Sequence, residues 1–232
     1  MSNFESNAVS AARPRVTVKT VTSLAMLTAL TYLAMLISNL LPKVAGFLQM
    51  EIKGTVIAIG GFLFGPLSAA VISIVVAFIE MFTVSDTGII GCVMNLLAAC
   101  AFACPAAFLY QKMRSRKGAV IGLSVGIVTL TVVMLLWNYL ITPIYMHMDR
   151  SVVAAMLPTV FLPFNLVKGG LNMALTLILY KPVVTALRKA RLAPEREGMA
   201  SGGDRFDAGF LLFSLALLVT FALLVLVLAG KI

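Results

Sequence analysis

Three side chains capable of strong polar contacts, Asn165, Lys168 and Asn172, lie inside the otherwise apolar run 161–180, FLPFNLVKGGLNMALTLILY. At helical spacing they fall on one stripe with Gly169 and Thr176, an arc of roughly 100°. A lysine within such a run is costly, about 3 kcal/mol even on lenient insertion scales. Its ammonium only donates, whereas each amide both donates and accepts. Two readings are open for Lys168. Either helix carbonyls or an internal ion pair satisfy it, or it faces a cavity and helps to hold a ligand. The polar residues at the same depth elsewhere decide between them.

Other chemistry finds little support. There is no GxxxxGK[ST] phosphate loop, so ATP hydrolysis by that route is not expected. The single histidine, His147, sits in a connector, and no HExxH or His/Cys cluster offers a metal site. Cys92, Cys100 and Cys104 share one helical run and read as small core residues. No serine–histidine pair and no carboxylate pair share a span. The expectation is a protein that is not an enzyme and carries no cofactor or metal.

The elements that must position these residues are helices in a membrane. The chain of 232 residues is 61% hydrophobic and only 12% charged, far from the mix of a soluble domain. Its net charge of +9 sits in short blocks between apolar spans without interleaved aromatics. That is a topology signal rather than a nucleic-acid footprint. The fold class expected is all-α, a polytopic membrane bundle of six helices plus a C-terminal seventh. The helices are placed at about 21–41, 54–64, 67–83, 89–111, 119–145 and 159–187, with an extra span at 210–229. Pro42, Gly65-Pro66 and Ser85-Asp86-Thr87-Gly88 mark breaks, and Pro143 is expected to bend the fifth helix. The span at 54–64 is short for a membrane core, so it is tilted or its ends are shielded by protein. As domains this gives a tail at 1–19, a six-helix body at 20–190, a linker at 191–208 and the last helix at 209–232.

Thirteen of the eighteen basic residues fall in the tail, the loop 112–117 and the end of the sixth helix with its linker. The lysine and arginine bias therefore puts the N-terminus of this multi-pass membrane protein in the cytoplasm. Odd helices then run outward and even ones inward. Asn39, Glu80, Asn95, Asn138, Asn165 and Lys168 consequently share one level, about one to three turns below the outer surface. Asn172 lies one turn deeper. A polar-lined site opening outward explains that coincidence. Trp137, Tyr139 and Tyr145 either stack on a ligand there or form an interfacial belt. Towards the other end of the first helix, Ala25 and Ala29 are one turn apart, spacing that lets a second helix approach closely.

Four segments carry a family resemblance: IGGFLFGPLSA (59–69), MNLLAACAFACPAAFLYQK (94–112), WNYLITPIYM (137–146) and FLPFNLVKGG (161–170). They resemble the substrate-binding S components of energy-coupling factor (ECF) transporters, most closely the riboflavin-specific type. The likeness covers about 21–187, and FNLVKGG and WNYLITPIYM are its specific parts.

The resemblance implies a six-helix protein that captures a vitamin from outside and topples in the membrane to release it. A transmembrane coupling protein and two ATPase subunits supply the energy. It implies flavin contacts at Asn95, Asn138, Asn165 and Lys168, and in the first outer loop, 46–51, with Gln49 and Glu51. Riboflavin is then the transported ligand. It also implies that Ala25 and Ala29 face the coupling protein. The chain departs from the pattern at Glu51-Ile52-Lys53, where riboflavin types often carry aspartate and serine, and in its seventh span. The alternatives are an S component for another vitamin or small metabolite and, in a different class, a stand-alone facilitator or a membrane enzyme.

Overall fold

The computed structural model describes residues 17–85, 87–192 and 208–230. Most of the expected tail and linker, together with Asp86 and Lys231, lie outside these residues. Helix α1, Val18–Ser38, is followed by a two-stranded antiparallel hairpin, β1 at Lys43–Val44 and β2 at Leu48–Gln49. Next come α2 (Lys53–Phe64), α3 (Pro66–Thr83), α4 (Gly88–Met113) and α5 (Arg116–Tyr145). A short helix α6, Arg150–Met156, passes through a π-helical turn at Leu157–Phe161 into α7, Leu162–Lys189, and α8 spans Ala208–Leu228. Among the described residues six helical stretches are long and apolar enough to cross a membrane, with α6, the turn and α7 counting as one. Helix α2, at 12 residues, is the short exception.

The local reasons are legible. Thr17 caps α1 by accepting from the Thr20 amide at 3.2 Å. Ser23, Leu27, Thr31, Met35 and Ser38 form its buried stripe, and the three hydroxyls return hydrogen bonds to carbonyls four residues back. Gly65 adopts φ +102°, a conformation that penalises any Cβ, and Pro66 opens α3 at once. Helices α4 and α5 approach closely because Gly122 meets Ala106. A Cβ at Gly122 would lie 2.7 Å from the Ala106 carbonyl.

Two connectors carry more structure than the sequence reading assigned. The first outer loop, expected as plain connector, folds into the hairpin. Gln49 holds it by donating to the carbonyl of Ser38 at 2.6 Å. The connector before the sixth spanning helix is itself helical in part, and the π turn appears where Pro158 has no amide to donate.

The main core runs through the centre of the bundle, from Ala98, Phe102 and Leu130 to Tyr110 and Leu187. At the end bearing the basic loop, Phe62 stacks on Tyr110, and the Tyr110 and Tyr180 hydroxyls are 2.7 Å apart. A second, smaller core lies at the hairpin end and joins Val44, Met50, Phe164, Val167, Leu171 and Val225.

Candidate functional site

Just below the hairpin the bundle holds a narrow, partly open pocket with about 20 Å³ of room for water-sized spheres. Four elements build its polar side. The loop after β2 contributes Glu51, the first turn of α2 contributes Lys53, α4 contributes Asn95, and α7 contributes Lys168 and Asn172. Helix α3 brings Glu80 in behind them. The rest of the lining is apolar, with Ala98, Ala99 and Phe102 from α4, the helix that also carries Asn95, and Leu130 from α5.

The charged groups form a continuous chain. The Lys168 ammonium donates to Glu51 Oε2 at 2.6 Å, and Glu51 Oε1 lies 2.9 Å from Lys53 Nζ. Lys53 then donates to both Glu80 oxygens at 2.7 Å, and Asn95 Nδ2 donates to Glu80 Oε2 at 2.9 Å. Lys53 and Glu80 are only 5% and 4% exposed. Charges so deeply placed persist only with partners in good geometry, because removing one leaves an uncompensated ion. Two carboxylates and two ammoniums sum to no net charge.

Asn172 locks this chain to α2 and α7. Its amide donates to the Glu51 carbonyl at 2.7 Å, and its Oδ1 accepts from the Thr55 amide at 2.8 Å. It is 3% exposed. Glu51 lies in the connector, outside the spanning helices. Burial pushes its carboxyl upward, but the nearby Lys168 and Lys53 ammoniums outweigh this and hold it at about 2.

The sequence-derived candidates divide into two groups. Glu51, Glu80, Asn95 and Lys168 meet in the chain. Asn138 and Asn165 are buried, but their amides are used within their own helices. Asn138 donates to the Met134 carbonyl at 2.6 Å and accepts from Thr142, and Asn165 donates to the Phe161 carbonyl at 2.8 Å, against the π turn. Gln49 clamps the hairpin, and Asn39 is exposed at the end of α1. Trp137 packs against the main core, while Tyr139 and Tyr145 are exposed, with Arg150 over the Tyr139 ring. Lys53 and Thr55 were absent from the sequence-derived site. The readable signal for Lys53 was a lysine two residues from Glu51, opening a helix too short to span the membrane alone. Ala25 and Ala29 are exposed on α1, away from its buried stripe.

Comparison with known proteins adds to this geometry. Residues 19–180 match the family described as ECF transporter, substrate-specific component. The chain is 27% identical over 187 residues to the riboflavin transporter FmnP of Bacillus subtilis (strain 168), an alignment covering 75% of this chain and 98% of that relative. It is 24% identical over 178 residues to the riboflavin transporter RibU of Staphylococcus aureus (strain TCH60), covering 74% and 93%. Its fold is similar to a solved S component of a bacterial ECF transporter, with a TM-score of 0.62 and 23% identity over 73% of this chain and 98% of that one.

Proposed function

Because the chain belongs to the ECF transporter, substrate-specific component family, we propose that it is the riboflavin-capturing subunit of an ATP-driven vitamin uptake transporter. The observation that carries this reading is the two-sided cavity. In one pocket a chain of hydrogen-bonding groups whose formal charges cancel adjoins the apolar side chains of Ala98, Ala99, Phe102 and Leu130. An uncharged planar ring system with a polyhydroxyl tail satisfies both sides. The ring lies along the apolar wall, and the hydroxyls or ring-edge amide groups exchange hydrogen bonds with Lys168, Glu51 and Asn95. The names of the two relatives support the same ligand.

Lys168 is the most accessible of the four charges, with its side chain 16% exposed, and it is the group best placed to turn from Glu51 towards a ligand. Asn172 and Lys53 hold Glu51 in place. Asn138 and Asn165 reach a ligand by exchanging the internal bonds that they now make, and Gln49 and Asn39 act through the hairpin. The protein binds its substrate unchanged, as a transporter component rather than an enzyme. The basic blocks support an N-terminus in the cytoplasm and a hairpin outside. The exposed small-residue face of α1, at Ala25 and Ala29, is the docking surface for the membrane coupling protein, with two ATPase subunits behind it.

Titrating the purified protein with riboflavin and following the quenching of flavin fluorescence tests this directly. Saturable tight binding is expected. Lys168→Ala, which deletes an ion-paired donor, should weaken it by about tenfold or more while leaving the fold intact. An absence of saturable quenching would sink the riboflavin reading. Because Glu51 and Lys53 themselves shape the cavity, saturable binding of a different uncharged vitamin would redirect it within the family.

A further inference from the structure

The family match ends at residue 180, whereas α8 begins at Ala208. Helix α8 nonetheless packs against α7. Near its start Phe210 lies by Arg116, at the basic end of α5, and near its finish Val225 is 4% exposed within the hairpin-end core. Ser214, Leu217, Leu218, Phe221, Val225 and Leu228 form its packing stripe. The Phe221 ring sits against Gly170 so closely that a Cβ there would overlap the tip of the ring.

The neighbours of Val225 are what matter. Met50, Val167 and Leu171 pack with it in one cluster, and each is adjacent in sequence to a group lining the cavity: Glu51, Lys168 and Asn172. On α7, Lys168 and Asn172 are four residues apart and face the cavity. Val167 and Leu171 are likewise four apart, one residue round the helix, and face α8. Met50 is fully buried. It cannot move away from α7 without drawing Glu51 from its 2.6 Å contact with Lys168.

We propose that α8 is a positioning element for the binding site: Phe221 and Val225 press the Met50–Glu51 segment against α7 and so slow the release of ligand. Neither residue touches the cavity. Both act through the residues behind Glu51, Lys168 and Asn172. The proposal rests on the riboflavin reading only for its choice of ligand.

The test uses the full chain, Phe221→Ala, Val225→Ala, the conservative Val225→Ile, and Leu223→Ala on the exposed face of α8 as a control. Hydrogen–deuterium exchange of residues 43–52 is measured without ligand, and riboflavin association and dissociation are followed by stopped flow. Deleting the buried Val225 methyls or the half-buried Phe221 ring should raise exchange at 43–52 and the dissociation rate by about tenfold, with association within about twofold. Val225→Ile should restore both, and Leu223→Ala should change neither. The proposal is overturned if exchange at 43–52 is unchanged, if protection falls uniformly through the bundle, or if association alone slows. A chain that ends after Leu192 and still folds should behave like the alanine variants, and wild-type behaviour would again overturn the proposal. If that chain does not fold, the point variants decide. Should the intact protein bind no riboflavin, the functional reading fails, while the exchange measurement still decides the role of α8.

Discussion

Glu51 is the residue on which the site turns. It accepts from Lys168, pairs with Lys53 and offers its own carbonyl to Asn172. Burial pushes its carboxyl up and the two ammoniums pull it down further, from the usual 4.5 to about 2. A carboxylate depressed in the folded state contributes stability that is full above its unfolded value, and that contribution is lost as pH falls through the folded value. The melting temperature in detergent should therefore be independent of Glu51 between about pH 8 and 5 and should fall between about pH 4.5 and 2. Glu51→Gln should flatten that fall. An equally steep acid decline in the variant would show that Glu51 is not the group responsible.

The sequence reading reached Glu80, Asn95 and Lys168 because depth along a helix follows from residue count once direction is set, and it reached Glu51 through the family resemblance of the first outer loop. It did not reach Lys53. A lysine at the mouth of a short helix counts as loop charge until the fold turns it inward. Depth also says nothing about how neighbouring helices are rotated. For that reason Asn138 and Asn165 share the level of the cavity yet spend their amides on Met134 and Phe161.

At the scale of elements, α1 shows how one helix divides its work. Its buried stripe, Ser23 to Ser38, returns hydroxyl bonds to its own backbone, so it packs with no unsatisfied donor. Ala25 and Ala29 lie elsewhere on its surface and are exposed. Replacing both with leucine should leave folding and riboflavin affinity within about twofold, since neither is part of the core. Uptake by cells containing the coupling protein and ATPases should be lost. Loss of binding in the purified variant would instead make these residues structural. The breaks that define the elements, Gly65-Pro66 and the turn before α4, were plain in the sequence because proline and glycine act locally. The hairpin was not. Its strands are two residues each, and a long-range hydrogen bond from Gln49 to the carbonyl of Ser38 helps to fix it. The π turn was equally hidden, because Pro158 alone does not distinguish a kink from a widened turn.

For the whole molecule, the six spanning stretches, the C-terminal helix among them, and the short α2 were legible from hydropathy, since a bilayer imposes length and polarity on every span. How α8 associates with the bundle was not, because an uncharged helix apolar on nearly every side has no face that sequence alone can orient. One consequence of the balanced chain Lys168–Glu51–Lys53–Glu80 belongs to this scale. A single unpaired lysine carried across a membrane would feel about 2.3 kcal/mol for every 100 mV. Interior charges that cancel within the bundle present no net charge of their own on which a potential can act. Riboflavin affinity and release in vesicles should accordingly be unchanged when a potential of either sign is imposed. A clear voltage dependence would mean that one of the four charges is unbalanced in the membrane. On the proposed reading these four interior charges give the membrane potential no net charge to act on, and the energy for uptake enters through the partner ATPases.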